Sequence, residues 1–433
     1  MEKKKFSGWT QLVLVAFITG LTAQYGATAV SLSNTIMKAS GQVAMTATAF
    51  GLGATIYSLM QGPPQLVIGA WIRKQGTRKV FLIGVPFMVF TTLVLSNVLK
   101  TDLSYILVYG IMWGLSYMLM SQLAMQSLIN NWFIQRRGFA MNIVTAITCI
   151  FSFIAPYAVN WVLKISGNNF RIGWYSIGVL AAISYPLVFF LKNKPEDMGQ
   201  HPDGVEPGAV LVEKSSTAVS TVYKVGDQAK AISVKEALKK PVYWAILLLA
   251  GLGFAVSMVS YSFASVHFVN NGISMDTISG AMAVGSFARL ACGLIVAKQS
   301  DKIEPGFMFA LFAALCGLFT MLAANTQSVI VIYFYYSLST IFSVCLMVLI
   351  PIMLANVFGR ESFPALQGIV LTVGGLVSST TGTIAGVIAD ANGGSYSPAF
   401  IIYAVVCFVM TAIALFGVGI PCMKEYRASV GNL

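Results

Sequence analysis

Charged side chains are scarce in this chain, and their scarcity excludes most classes of protein. Only 10% of its 433 residues are charged, whereas 57% are hydrophobic; soluble domains carry about a quarter charged residues. The apolar residues form long blocks separated by short polar segments, which is typical of membrane-spanning helices. The composition excludes a soluble globular domain, a disordered chain, a disulfide-rich secreted module and a nucleic-acid-binding protein, in spite of a formal net charge of +12.

Groups that perform chemistry or hold metals are also scarce. The only histidines are His201 and His267, and none of the six cysteines forms a CxxC pair. The cysteines lie in or beside apolar segments, where they serve as small buried hydrophobic residues. No phosphate-binding loop of the G-x-x-x-x-G-K-[ST] type occurs. We therefore expect no enzyme activity, no use of ATP, and no bound metal or cofactor.

Twelve apolar blocks predict an all-α membrane protein with twelve transmembrane helices. An N-terminal half (1–191) and a C-terminal half (241–433) each hold six of them, and a polar cytoplasmic linker (192–240) with a short surface helix near Val234–Lys239 joins the halves. The first block, which begins at Trp9, is too long for a signal peptide. The predicted helices cover 9–37, 45–71, 79–98, 103–130, 138–163, 172–191, 241–268, 276–298, 306–325, 328–357, 363–388 and 398–420.

The distribution of lysine and arginine predicts how the helices are oriented. If the N-terminus, with Lys3–Lys5, is cytoplasmic, most of the other basic residues also fall in cytoplasmic segments. The segments on the opposite side then hold only Lys38, Lys100, Lys164 and Arg171. We therefore expect a multi-pass protein of the inner (plasma) membrane with both termini in the cytoplasm.

Two loops of the first half recur in the second half at nearly the same separation. The segment Gly69–Arg78 matches Gly293–Lys302, and Asn131–Phe133 matches Asn356–Phe358. This repetition indicates an internal duplication. Duplicated six-helix halves place a substrate site between them, near the middle of the bilayer.

These loops and three further motifs resemble the major facilitator superfamily along the whole chain. The branch they most resemble holds monocarboxylate transporters and oxalate:formate antiporters. The matching segments are the GAWIRKQGTRK loop from Gly69, the NWFIQRRGFAMN loop from Asn131, the KPEDMGQHPDG segment from Lys194, HFVNNGIS from His267 and NVFGRESF from Asn356.

The resemblance implies a cytoplasmic gate built from these loops, but the sequence departs from the usual pattern. Arg73 stands where the signature loop usually carries an acid, and in the second copy Asp301 lies a turn later than expected. Arg78 and Arg137 complete the candidate gating residues.

Arg289 is the one charged residue inside an apolar block, because all 15 acids lie in loops or at helix ends. An arginine at mid-bilayer costs at least about 2.5–3.5 kcal/mol on insertion scales. A bound anion would offset that cost, and a guanidinium suits a carboxylate. The resemblance likewise implies that Arg289 binds the substrate carboxylate. The alternative is a structural arginine that bonds to carbonyl oxygens or extends to the cytoplasmic face.

The resemblance also indicates which anion is carried. Relatives that carry oxalate have a lysine where Gly374 stands, and aromatic residues where Ser343 and Met347 stand. With Ser378, Gly374 forms a stripe of small residues that suits either a cavity or close helix packing. We therefore expect a monoanion with an apolar or hydroxylated body.

Polar residues at helical spacing in other predicted helices give further candidates for the wall of the site, with interhelical hydrogen bonding as the alternative. His267, near the end of a helix, is expected either to pack or cap there or to couple protons. The candidate wall residues are Gln24, Tyr25, Thr28, Gln122, Gln126, Asn142 and Tyr261.

The sequence thus predicts a monomeric secondary transporter of a small organic anion of the monocarboxylate type, working by rocker-switch alternating access with or without a proton. One alternative is an exporter of a neutral solute or drug with the same fold. The other is a membrane sensor.

Overall fold

The computed structural model describes residues 6–41, 43, 45–62, 64–120, 122–134, 136–204, 234–299 and 303–422. Every element of regular structure in these ranges is helical. The α-helices are α1 (Gly8–Thr19), α2 (Tyr25–Ala39), α3 (Ala47–Met60), α4 (Pro64–Gln75), α5 (Thr77–Val98), α6 (Asp102–Tyr105), α7 (Gly114–Leu119), α8 (Gln122–Trp132), α9 (Arg137–Ile165), α10 (Phe170–Phe190), α11 (Val234–Ala237), α12 (Pro241–Ser262), α13 (Ala264–Asn270), α14 (Met275–Gln299), α15 (Pro305–Ala323), α16 (Val329–Ala391) and α17 (Ser397–Ala412). Three π-helical segments, Gly20–Gln24, Ile106–Trp113 and Ile413–Gly419, adjoin α-helices, and Pro195–Met198 and Pro202–Gly204 are 3₁₀ turns.

Ten segments among the described residues are long and apolar enough to cross a membrane. They coincide with ten of the twelve predicted helices. The two remaining predictions fall on α3 with α4 and on α14. The spans are Gly8–Ala39, Thr77–Val98, Asp102–Trp132, Phe139–Ile165, Phe170–Phe190, Pro241–Ser260, Pro305–Ala323, Val329–Phe358, Leu366–Ala391 and Ser397–Cys422.

The chain divides into two compact units. The described residues within Met1–Met45 and Ile56–Ser215 form the first, and those within Thr46–Thr55 and Ser216–Leu433 form the second. The prediction divided the chain at a single linker, whereas here the first part of α3 belongs to the second unit. Large aromatic side chains fill the interiors, including Trp113, Trp132 and Trp174 in the first unit and Tyr243 and Tyr335 in the second.

The prediction of one helix over 45–71 was wrong. The chain turns at Gln61 and Gly62, whose N–H groups donate to Ser58 and Leu59 carbonyls (3.1 Å each), and α4 then starts at Pro64. The sequence Gly62-Pro63-Pro64 explains the interruption, because proline has no N–H to continue the helical ladder. Other predicted helices change geometry within their length: 103–130 contains the π-helical Ile106–Trp113, and 241–268 bends at Phe263, where φ is −117°.

The predicted loop between 357 and 363 has helical backbone, as part of α16, and it lies between the separate apolar spans Val329–Phe358 and Leu366–Ala391. A straight helix from Val329 to Ala391 would be about 94 Å long. However, Ser343 and Gly374 both contact α12, at Ser257 and Phe254, which are one turn apart. The two apolar spans of α16 therefore lie side by side against α12.

Candidate functional site

Arg289 lies on the side of α14 opposite to its exposed apolar residues. Val284, Phe287 and Ile295 are exposed and follow one strip of the helix. At about 100° per residue, Arg289 lies roughly 150° round the helix from the middle of that strip. Its side chain is nevertheless exposed. An exposed guanidinium away from the apolar strip is suited to face water or a polar ligand rather than lipid.

Two glycines show which helix this side of α14 contacts. A Cβ on Gly285 would lie 3.0 Å from the Tyr336 carbonyl oxygen, and a Cβ on Gly293 would lie 3.4 Å from the Val344 side chain. The Thr340 hydroxyl donates to the Gly285 carbonyl at 2.8 Å. Arg289 is one turn from each glycine, and this register places it level with the Thr340–Val344 part of α16.

The same part of α16 carries a hydroxyl pair shared with α12. Ser343 Oγ lies 3.2 Å from Ser257 Oγ and also donates to the Ser339 carbonyl at 3.0 Å. One turn further along α16, Met347 is 56% exposed. Arg289, Ser343 and Met347, all predicted site residues, thus occupy neighbouring positions of α14 and α16 within the second unit.

The predicted small-residue stripe lies in the second span of α16. Gly374 is buried, and a Cβ there would lie 2.4 Å from Cδ2 of the Phe254 ring on α12. Ser378 is half-buried, and its hydroxyl donates to the Gly375 carbonyl at 2.9 Å. The sequence analysis did not single out Phe254. The available signal was its spacing, one and two turns before Ser257 and Tyr261.

The predicted residues of the first unit differ in their surroundings. Gln24 Oε1 accepts from Ser152 at 2.9 Å, and the Tyr25 hydroxyl donates to Ser176 at 2.9 Å. These bonds link the apolar span Gly8–Ala39 to α9 and α10. The Thr28 hydroxyl donates to the Gln24 carbonyl at 3.3 Å, at the end of a π-helical segment.

Two other predicted residues have exposed side chains, and for two more the structure does not describe the side chain. Gln126 and Asn142 are exposed. For Gln122 and Tyr261 the structure describes the helical backbone and not the side chain.

His267 is enclosed in α13, beyond the apolar span Pro241–Ser260. Its ring is 1% exposed and stacks on Phe400 at 4.1 Å between centroids. Nε2 lies 3.1 Å from the Ala323 carbonyl oxygen, to which the protonated nitrogen donates. Burial lowers the pKa of His267 to about 4, and hydrogen bonds to the Ala323 and Ala324 backbone raise it in part. The ring is therefore neutral near pH 7, and its geometry favours the packing role.

Segment 192–204, predicted as the start of a linker, packs on the loops before α5 and between α8 and α9 in the first unit. Asp203 is 7% exposed, and its carboxylate accepts from the backbone N–H of Ile134 (2.8 Å) and of Arg136 (3.3 Å). Asn193 Oδ1 accepts from the Arg78 N–H at 2.8 Å, and the Trp132 indole donates to the Lys192 carbonyl at 3.0 Å. Three motifs that are far apart in sequence therefore meet here.

The predicted gating residues are only partly described. Arg73 is exposed at the end of α4, and Arg78 is half-buried at the start of α5. Arg137 begins α9, but its side chain is not described, and Asp301 lies outside the described residues.

Within the second unit, the start of α3 packs very closely on the second span of α16. A Cβ on Gly386 would lie 2.3 Å from the Ala47 carbonyl oxygen, and one on Gly51 would lie 2.1 Å from the Gly382 oxygen. The Asp390 carboxylate accepts from the N–H groups of Ala47 (2.9 Å) and Thr48 (2.7 Å). This carboxylate caps α3, whose first N–H groups have no partner within the helix.

Three solved structures similar to this chain are transporters of low sequence identity. Nucleoside transporter NupG has a TM-score of 0.69 at 14% identity and covers 95% of this chain and 99% of its own. A D-xylose-proton symporter has a TM-score of 0.68 at 12% identity, covering 96% and 98%. A bacterial homolog of the human lysosomal transporter Spinster, inward-facing and occupied, has a TM-score of 0.66 at 13% identity, covering 96% and 97%.

No curated protein matches the chain significantly. The model of the Major Facilitator Superfamily matches residues 12–346, which is more than half of the chain. The all-helical fold, the apolar spans and this match agree, and the chain belongs to the major facilitator superfamily of membrane transporters.

Proposed function

We propose that this transporter carries a small organic anion of the monocarboxylate type, with Arg289 as the ligand of the carboxylate. The observation that carries the proposal is the exposed position of Arg289 on the side of α14 that contacts α16. No acid of the sequence lies within an apolar span except at its ends, so no carboxylate of the chain is expected at that depth. A substrate carboxylate would supply the missing charge through a bidentate hydrogen bond.

The hydroxyls of Ser257 and Ser343 support this proposal, because they are uncharged hydrogen-bonding groups and Ser343 lies in the part of α16 that is level with Arg289. They would orient the substrate without adding a second positive charge. We infer that the site takes one carboxylate and not two.

The test is transport into proteoliposomes by Arg289→Lys and Arg289→Ala. A lysine keeps the positive charge but lacks the planar guanidinium group that bonds to both carboxylate oxygens, and an alanine lacks the charge as well. We therefore expect both variants to insert normally and to lose most transport. Arg171→Lys is the matched control, because Arg171 is an exposed arginine at the start of α10. Near wild-type transport by either Arg289 variant would show that Arg289 is structural.

A neutral solute is the second candidate, because two similar structures are those of a nucleoside transporter and a D-xylose-proton symporter. Wild-type protein offered a carboxylate and its amide discriminates between the two. An anion site rejects the amide because the arginine would remain without a negative partner. Equal transport of both compounds would favour the neutral-solute function.

We propose exchange or facilitated diffusion as the transport mode. The apolar spans hold no acid at depth, and His267 is neutral and enclosed. Returning an empty site with a bare arginine through a closed state is costly, and a bound anion lowers that cost. Stimulation of uptake by internal substrate, without accumulation driven by a pH gradient, is expected. Proton-driven accumulation that survives His267→Ala would contradict it.

A further inference from the structure

We propose that Phe254 is a specificity-determining residue, which closes one end of the anion site with an apolar ring and selects the body of the substrate. The inference rests on the proposed function, because it takes Arg289 as the carboxylate ligand. It adds a residue that neither the motifs nor the resemblance indicated.

The first step is the position of Phe254 on α12. Trp244 and Leu248 are more than half exposed and lie on one side of this helix. Phe254, Ser257 and Met258 are partly exposed and follow a different strip. At about 100° per residue, the middle of that strip lies roughly 100° round the helix from Trp244 and Leu248. Phe254 therefore belongs to the same face as the Ser257 hydroxyl.

The second step is the contact between Phe254 and the second span of α16. The Cδ2 and Cε2 atoms of the ring would lie 2.4 and 2.8 Å from a Cβ on Gly374. Real Cβ atoms do not approach other atoms so closely, so the ring can hold this position only because residue 374 is glycine. Gly374 thus fixes where the edge of the aromatic ring lies.

The third step relates Phe254 to the arginine. Ser257, one turn along α12, bonds to Ser343, and Arg289 lies level with the Thr340–Val344 part of α16. From α14 across α16 to α12, the order of residues is therefore Arg289, the hydroxyl pair of Ser343 and Ser257, then Phe254. A substrate bound by its carboxylate to Arg289 would extend its body past the hydroxyls towards Phe254.

The chemistry of the ring then selects the substrate. Phe254 offers no hydrogen-bond donor, so a second carboxylate facing it would lose hydration without gaining a partner. An apolar body gains dispersion contacts with the ring until its length exceeds the space available. The arrangement favours short monocarboxylates with an apolar end over dicarboxylates.

The experiment compares inhibition of transport by acetate, butyrate, hexanoate and octanoate in Phe254→Ala and wild type. Removing the ring opens space, so we expect the preference for octanoate over acetate to rise at least about tenfold. Gly374→Ala should shift the preference the opposite way, because its methyl group pushes the ring from its position. Phe287→Ala is the matched control, since Phe287 is 63% exposed on the apolar strip of α14.

Each outcome decides a different point. An unchanged chain-length profile in Phe254→Ala, with the carboxylate still preferred over its amide, would overturn the role of Phe254 and leave the anion site standing. Equal transport of the carboxylate and its amide by wild-type protein would overturn the proposed function itself. If Phe254→Ala fails to fold, Phe254→Leu and Gly374→Ala provide the same test, and profiles identical to wild type in both would refute the inference.

Discussion

The contact between α3 and α16 gives a sharp prediction for Gly386. A Cβ at this position would lie 2.3 Å from the Ala47 carbonyl oxygen and 2.9 Å from Ala47 C and from Thr48 Cα. All three atoms belong to the backbone, so no side-chain rotation can relieve the overlap. Gly386→Ala must therefore separate the two helices or distort one of them.

The same helix provides a matched control. Nothing lies within 4 Å of a Cβ built on Gly368 or on Gly375. Alanine at an open helical position is more favourable than glycine by about 1 kcal/mol. Overpacking costs about 1–3 kcal/mol. Both variants gain this helical term, so Gly386→Ala should be less stable than Gly375→Ala by the overpacking cost, about 1–3 kcal/mol.

The assay is unfolding of purified protein in detergent, followed by Tm, for the two alanine variants and wild type. We expect Gly375→Ala to melt at or slightly above the wild-type Tm. We expect Gly386→Ala to melt several degrees below Gly375→Ala. Gly382→Ala, whose methyl group would lie 2.6 Å from the Gly51 oxygen, should behave like Gly386→Ala. If Gly386→Ala and Gly375→Ala have equal stability, the close packing of α3 on α16 is refuted.

Two further predictions concern buried polar groups. His267 should make stability fall as pH decreases from its unfolded pKa of 6.5 to about 4, because the unfolded chain then binds a proton that the folded ring excludes. The difference between these two pKa values corresponds to about 3 kcal/mol of unfolding free energy. His267→Gln should flatten this part of the Tm–pH curve, and an unchanged curve would contradict the burial of the ring. Asp203→Asn should lower the free energy of unfolding by about 1–3 kcal/mol, because it weakens the hydrogen bonds from the Ile134 and Arg136 N–H groups. The backbone should not change, because asparagine tolerates the φ of 59° at this position. Faster proteolysis of the loop between α8 and α9 is the expected result, and unaltered protection would contradict a holding role for Asp203.

Hydropathy was sufficient to predict most of the fold, because a membrane span needs about 20 apolar residues in a row. Local backbone geometry was harder to predict. The break before Pro64 could have been read from Gly62-Pro63-Pro64, whereas the π-helical segment Ile106–Trp113 has no comparable local signal. The helical backbone of the connection between the two apolar spans of α16 also has no clear signal in the sequence.

The candidate site was predictable where charge alone identifies a residue. Arg289 stands out because no acid accompanies it in the apolar blocks. Gln24 and Tyr25 could not be assigned in this way, since a polar residue in an apolar helix serves a cavity or a neighbouring helix equally well. Their bonds to Ser152 and Ser176 become visible only when the helices are packed together.

Three acids of the chain bear on the proposal that Arg289 binds the substrate carboxylate. The carboxylates of Asp203, Asp390 and Glu304 each accept backbone N–H groups at loops or helix starts. Glu304 is 5% exposed, and burial raises its pKa in spite of hydrogen bonds from the Phe307 and Gly306 backbone. These carboxylates stabilise backbone at loops and helix starts. If Arg289 binds the substrate carboxylate, transport depends on the negative charge of the substrate, and the acid-against-amide experiment measures that dependence directly.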